Sequence, residues 1–132
     1  MPHAYDTSHP LAFPALPVSL RQIDGDATTM ALSALVDSGA DVTIVPVGYL
    51  RAIGAEQIYG AYLRAHWGGR RAVAVFLVDL EIENQIMPSI EVVGDEQGQE
   101  ILLGRNILNK LILLLDGPRQ QADVLSHRPA DV

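Results

Sequence analysis

Cysteine is absent from the 132 residues, which excludes disulfides, a thiolate nucleophile and cysteine-ligated zinc. Positive charge is scarce. Nine Lys and Arg stand against sixteen Asp and Glu, a formal net charge of −7. The extended basic surface that grips phosphate backbones or anionic lipid is therefore not expected, and neither nucleic acid nor a membrane is an expected partner. Long apolar runs are missing as well. The richest stretch, Ile101 to Leu115, is broken by Gly104, Arg105, Asn106, Asn109 and Lys110 and is unsuited to crossing a bilayer. The opening Met1-Pro2-His3-Ala4-Tyr5-Asp6 has neither the basic start nor the apolar core of a secretory signal, so the cytoplasm is the default expectation. Gly-x-Ser-x-Gly, Gly-Lys-Ser/Thr and His-Glu-x-x-His do not occur, leaving serine hydrolase, P-loop and zincin readings without their residues.

With 48% hydrophobic, 19% charged and 5% aromatic residues, the chain has the composition of one globular domain. Pro2, Pro10 and Pro14 sit among small and polar residues, so residues 1–15 are expected to form an extended or flexible arm, 16–126 the folded domain and 127–132 a flexible tail. Leu16 to Leu20 alternates, Asp24-Gly25-Asp26 supplies a turn, and Thr28 to Val36 is rich in strand formers, which together predict a hairpin. Val42 to Val45 reads as a buried strand. Pro46 to Ile53 reads as a short helix, with proline at its first position and Gly54 just past its end. Glu56 to Leu63 and Ala72 to Leu80 flank a tip containing Gly68 and Gly69, a long hairpin whose turn needs glycine dihedrals. Strands over Ile86 to Val93 and Glu100 to Leu103, a short helix over Arg105 to Lys110 and a strand over Leu111 to Leu115 complete an all-β reading with two small helices.

Two segments carry chemistry. In Ala34-Leu35-Val36-Asp37-Ser38-Gly39-Ala40-Asp41 a carboxylate follows directly on an apolar strand, and a glycine two residues later lets backbone N–H groups turn toward it. Asp-Ser-Gly alone is the ordinary vocabulary of turns, but an exposed turn seldom lies between segments as apolar as Ala31 to Val36 and Val42 to Val45, so this one is expected inside the core. In Glu100 to Leu108 an apolar strand ends at Gly104, and Arg105 opens a helix where its charge opposes the helix dipole unless a carboxylate compensates. Asp41 is the candidate partner.

These residues resemble the retropepsin-like aspartic proteases, the retroviral proteases and their cellular and bacterial relatives. Asp37-Ser38-Gly39-Ala40, then a glycine-containing flap at Trp67-Gly68-Gly69, then Leu102-Leu103-Gly104-Arg105-Asn106 match the family's elements in order from about Leu16 to Leu125. The resemblance implies a closed β-barrel with a flap hairpin, complete only as a dimer. It gives Asp37 the role of catalytic carboxylate, Ser38 that of a hydroxyl linking two active-site loops, and Gly39 that of backbone approaching substrate. Ala40 and Asp41 would lie beside the substrate, Trp67, Gly68 and Gly69 would close over it, and Asp41 with Arg105 would form a buried structural ion pair. Serine stands where threonine is commoner, and His66, Trp67, Arg70 and Arg71 make the flap bulky and cationic.

An aspartic protease needs two carboxylates, one to activate water and one to protonate the peptide carbonyl. With a single Asp-Ser-Gly, both must come from two copies of the chain related by a two-fold axis. The expected activity is a homodimeric aspartic endopeptidase acting on polypeptide at acidic to mildly acidic pH, with no cofactor or metal. Leu111 to Leu115 and Ala122 to Leu125 are candidates for a dimer sheet, the former being equally readable as an interior core strand, and the arm is readable as a pro-segment over the cleft. The rival reading keeps the fold as a peptide-binding or dimerisation module with weak or absent proteolysis. The basic tip could be read as a small anion or nucleic-acid site, which the net charge opposes. Asp95, Glu96 and Glu100 do not match a calcium loop and read as a solvated turn, and His3, His9 and His127 need no role.

Overall fold

The computed structural model describes residues 1–64 and 68–130. The strands are β1 (Pro2–Ala4), β2 (Ala15–Arg21), β3 (Leu32–Val36), β4 (Thr43–Pro46), β5 (Glu56–Arg64), β6 (Arg70–Ile82), β7 (Gln85–Asp95), β8 (Ile101–Leu103), β9 (Ile112–Asp116) and β10 (Gln121–Leu125). Helix α1 (Val47–Ala52) follows β4, and α2 (Arg105–Leu108) follows β8. Seven strands run in the order β2-β3-β8-β4-β7-β6-β5, and β2 also pairs with β6. That extra pairing closes six of the strands into a barrel, with β5 paired to the first part of β6 and β2 to its last part. Closure leaves those six strands without an open edge.

The barrel closes because both strands at the seam alternate in phase. Leu16, Val18 and Leu20 of β2 point inward past Pro17 and Ser19, and Val78, Leu80 and Ile82 of β6 meet them. Leu20 and Leu80 face each other across the seam and are both fully buried. Met87, Ile90 and Val92 from β7 and Leu50 and Ile53 around α1 fill the remainder of the core. Strand β3 is different. It lies between β2 and a parallel partner, β8, and its last three residues, Ala34, Leu35 and Val36, are all buried. A strand covered on both faces reads as a continuous apolar run rather than an alternation, and this one delivers the chain directly to Asp37.

The chain outside the barrel forms a second sheet, β1-β10-β9. Residues 2–4 of the arm pair with Gln121 to Asp123, Tyr5 N–H donates to Gln120, and Asp6 bridges to Phe13. Strand β9 is neither an interior strand nor fully covered. Leu111 and Leu113 pack on the core, while Leu114 and Leu115 stay 48% and 47% exposed. Helix α1 starts one residue later than expected, with Pro46 as its cap rather than its first turn, and Gly54 takes the left-handed φ of 67° that ends it. Among the described residues no helix is long and apolar enough to cross a membrane.

Truncating Leu80 to alanine at the seam is expected to cost about 2–5 kcal/mol, since the cavity lies between two strands that cannot move independently. Urea unfolding would show this as a lower midpoint at unchanged slope.

Candidate active site

Asp37 follows immediately on β3, half-buried, and its N–H donates to the Leu103 carbonyl of β8 at 3.1 Å. The next residues turn sharply. Ala40 N–H donates back to the Asp37 carbonyl at 3.1 Å, and Gly39 N–H donates to Asp37 Oδ1 at 3.0 Å. A Cβ on residue 39 would sit 3.3 Å from that same oxygen, so glycine lets the backbone come up against the carboxylate. The carboxylate is thereby aimed by main chain, with Ser38 and Gly39 exposed beside it and Ala40 half-buried.

The second segment clasps this loop from below. Arg105 N–H donates to the Ala40 carbonyl at 2.9 Å, Arg105 Nη1 donates to the Ser38 carbonyl at 2.9 Å, and Arg105 Nη2 donates to Asp41 Oδ1. The single chain pairs Asp41 with Arg105, while the burial that the resemblance implies, set partly against a partner chain, is not reached within one chain. The two side chains are 86% and 45% exposed, because nothing within the single chain covers this face of the loop. An ion pair so exposed contributes about 0–1 kcal/mol.

The buried anchor is one that sequence reasoning missed. Thr43, fully buried at the start of β4, donates its hydroxyl to Asn106 Oδ1 at 2.8 Å and accepts from Gly104 N–H at 3.1 Å. Asn106 Oδ1 also accepts from Thr43 N–H at 3.0 Å, and Asn106 Nδ2 donates to the Glu91 carbonyl of β7 at 2.9 Å. Every side-chain polar atom of buried Thr43 and half-buried Asn106 has a partner, which is what makes the pair rigid. Gly104 fits only as glycine, since a Cβ would fall on the Val42 carbonyl and within 2.9 Å of Thr43 N. A threonine in an apolar strand, 61 residues before the glycine whose N–H it receives, gave no local signal. Asn106 lay inside a recognised motif without an assigned task.

The β5–β6 hairpin runs past the end of β7, whose pairing with β6 stops at Ala74 and Gly94. Beyond that point β5 and β6 pair only with each other, out to Arg64 opposite Arg70. Gly68 takes a φ of 90°, open to the glycine expected there, and Gly68 and Gly69 are exposed. Trp67 lies outside the described residues. Near the tip of the hairpin Arg71, paired with Leu63, reaches back so that its Nη2 lies 3.7 Å from Asp95 Oδ1 at the end of β7. Burial pushes the Asp95 carboxyl up, but N–H bonds from Gln97 and Gly98 and the Arg71 charge outweigh it, so the group is held below the usual carboxylate range.

No protein-family model matches this chain, and no curated protein matches it in sequence. Solved structures do match in shape. A retropepsin-like aspartic protease from Rickettsia conorii superposes with a TM-score of 0.63 at 12% identity, covering 94% of this chain and 88% of that one. The fold is retropepsin-like. The retroviral protease-like domain of Ddi1 from Leishmania major gives 0.56 at 14% identity over 87% and 90% of the two chains. The protease of a macaque simian foamy virus gives 0.52 at 21% identity over 72% and 91%. In this retropepsin-like fold the Asp37 loop and the Gly104-Arg105 corner are two segments that meet, and the β5–β6 hairpin extends beyond the barrel.

Replacing Thr43 by valine, equal in shape but lacking the hydroxyl, is expected to leave the Gly104 N–H unpartnered and to cost about 1–3 kcal/mol. Thr43→Ser should retain most of the stability, and urea unfolding of the two variants distinguishes the hydrogen bond from the packing. Asp95 makes a pH-dependent contribution. Its folded carboxyl titrates below its ordinary value of 3.8, so the stability it adds is complete above that value and is lost as pH falls through the lower folded one. Asp95→Asn should therefore lower the melting temperature at neutral pH, with the gap to the parent closing in strong acid.

Proposed function

We propose that the protein is an aspartic endopeptidase that acts as a homodimer, each active site using Asp37 from both chains. The observation that carries this is the Asp37 loop itself. A carboxylate at the end of a doubly covered strand, oriented by a backbone N–H and clasped to a second segment by main-chain bonds, is a preorganised group. One chain supplies only half of the pair that acid–base hydrolysis requires.

In the proposed chemistry a water lies between the two carboxylates. The ionised one takes a proton from the water as its oxygen attacks the peptide carbonyl carbon, and the protonated one gives its proton to the carbonyl oxygen. The tetrahedral intermediate then collapses as the C–N bond breaks: the departing amine takes the proton first drawn from the water, and a diol hydroxyl returns a proton to the other carboxylate, leaving a free acid, a free amine and the starting dyad. Two carboxylates this close share one proton, so activity belongs to acidic or mildly acidic pH. The Ser38 hydroxyl, exposed in the single chain, is free to bond the partner's loop. The exposed Asp41–Arg105 pair lies on the same side, where a second chain would bury it. Substrate runs extended between the loop and the flap, beside Ala40 and beneath Gly68 and Gly69.

The parent protein is expected to cleave an unfolded peptide mixture between about pH 3 and about pH 7, with turnover falling steeply once neither carboxylate holds a proton. Asp37→Asn, which keeps the shape and removes the acid, should reduce the rate at least about a thousandfold. Mass spectrometry of the products decides. A folded parent that cleaves nothing, or an Asp37→Asn variant that cleaves as well as the parent, would refute the assignment in favour of a binding module.

A further inference from the structure

The flap carries charge that the proposed chemistry does not use. Five of the nine Lys and Arg residues, Arg21, Arg51, Arg71, Arg105 and Arg119, have a carboxylate within 4 Å. Among the described residues Arg64 and Arg70 have none, and they lie directly opposite each other on β5 and β6. Like charges at directly opposed strand positions repel. Arg70 is turned onto the ring of Tyr62, its Cζ 4.9 Å from the centroid, and Tyr62 is itself 66% exposed. A stacked guanidinium keeps its in-plane donors available for a carboxylate.

The alternation of β6 says which way this group faces. Phe76 points into the core and Ala74 packs against it, so Ala72 and Arg70 continue the same side of the strand beyond the barrel. Tyr62 opposite Ala72 and Arg64 opposite Arg70 share that side. Arg71, on the reverse side, is the one already occupied by Asp95 and Gln97. The inner side of the flap thus presents two uncompensated guanidinium groups and an aromatic ring, on a protein whose formal charge is otherwise strongly negative.

We infer that Arg64 and Arg70 select acidic side chains in the bound polypeptide, making the flap a specificity element for Asp- or Glu-containing segments. This rests on the reading of the β5–β6 hairpin as the flap over a peptide-binding cleft. A carboxylate placed between the two arginines relieves their mutual repulsion and gains charge-assisted hydrogen bonds from each. The attraction is local. The remaining surface repels an acidic ligand, so discrimination by the flap falls as salt screens it.

The test uses the Asp37→Asn protein and labelled peptides of one length and one apolar centre, flanked by Glu, Gln or Lys, read by fluorescence anisotropy. A single-stranded oligonucleotide matched in charge to the Glu peptide is measured alongside. The Glu peptide is expected to bind at least about tenfold more tightly than the Lys peptide at low salt. Adding Arg64→Gln and Arg70→Gln together should abolish that preference without lowering the melting temperature. Equal affinity for the three peptides, no detectable binding of any, a preference that survives the double substitution, or tighter binding of the oligonucleotide would each overturn the inference. Cleavage of the same peptides by the parent reports separately on the protease reading. Acid-selective binding without cleavage defeats that reading and leaves the basic flap standing, whereas cleavage without acid preference does the reverse.

Discussion

Thr43 holds the Asp37 loop in place through a hydroxyl buried where water cannot substitute for its partners. It is the only polar side chain in the fully buried class among the described residues, and it ties β4, the Gly104 turn and Asn106 into one unit that Asn106 extends to β7. Buried hydroxyls and amides are costly when unmatched and rigid when every atom is satisfied. The main-chain bonds from Asp37 to Leu103 and from Arg105 to Ala40 depend on that unit. They hold only while β8 and the start of β4 stay in register, and the space for Gly104 leaves no room for a looser fit. The position of the Asp37 carboxylate follows from that packing rather than from any contact made by its neighbours' side chains.

The same geometry leaves the site open on one side. Ser38, Gly39 and Asp41 are exposed, and Arg105 spends its donors on the loop without being covered. A closed barrel satisfies the core of one chain, while the Asp37 corner stays open to solvent on this side. The proposed symmetric dimer does two things at once: it supplies the second carboxylate and takes the Asp41–Arg105 pair out of water. An ion pair that adds little while exposed becomes costly to break once buried, so the pair would couple loop geometry to association.

The closed barrel was legible only through the resemblance that the Asp37 and Gly104 motifs carry, whereas the alternation of Leu16 to Leu20 marked one strand of a hairpin. Leu16, Val18 and Leu20 are the inward residues of that alternating strand, and the glycines at 54 and 68 marked turns that do require positive φ. The Asp37 and Gly104 segments were legible because each breaks an apolar strand with residues that packing alone would not choose. Three things were not visible. The Thr43–Asn106 bond joins residues 63 apart, and a buried threonine has the same local pattern as valine. The pairing of Pro2 to Ala4 with β10 depends on a register set by the opposite end of the chain. The exposure of Asp41 and Arg105 depends on what lies outside a single chain, which local patterning does not encode.

The proposed site is shared between two chains, and mixing tests that most directly. Parent and Asp37→Asn chains are combined in varying ratio at constant total concentration, allowed to exchange, and assayed for peptide cleavage. If each site takes one Asp37 from each chain, activity falls as the square of the parent's fraction, because every mixed pair lacks one carboxylate. A strictly linear fall would show that one chain suffices for catalysis and would contradict the shared dyad.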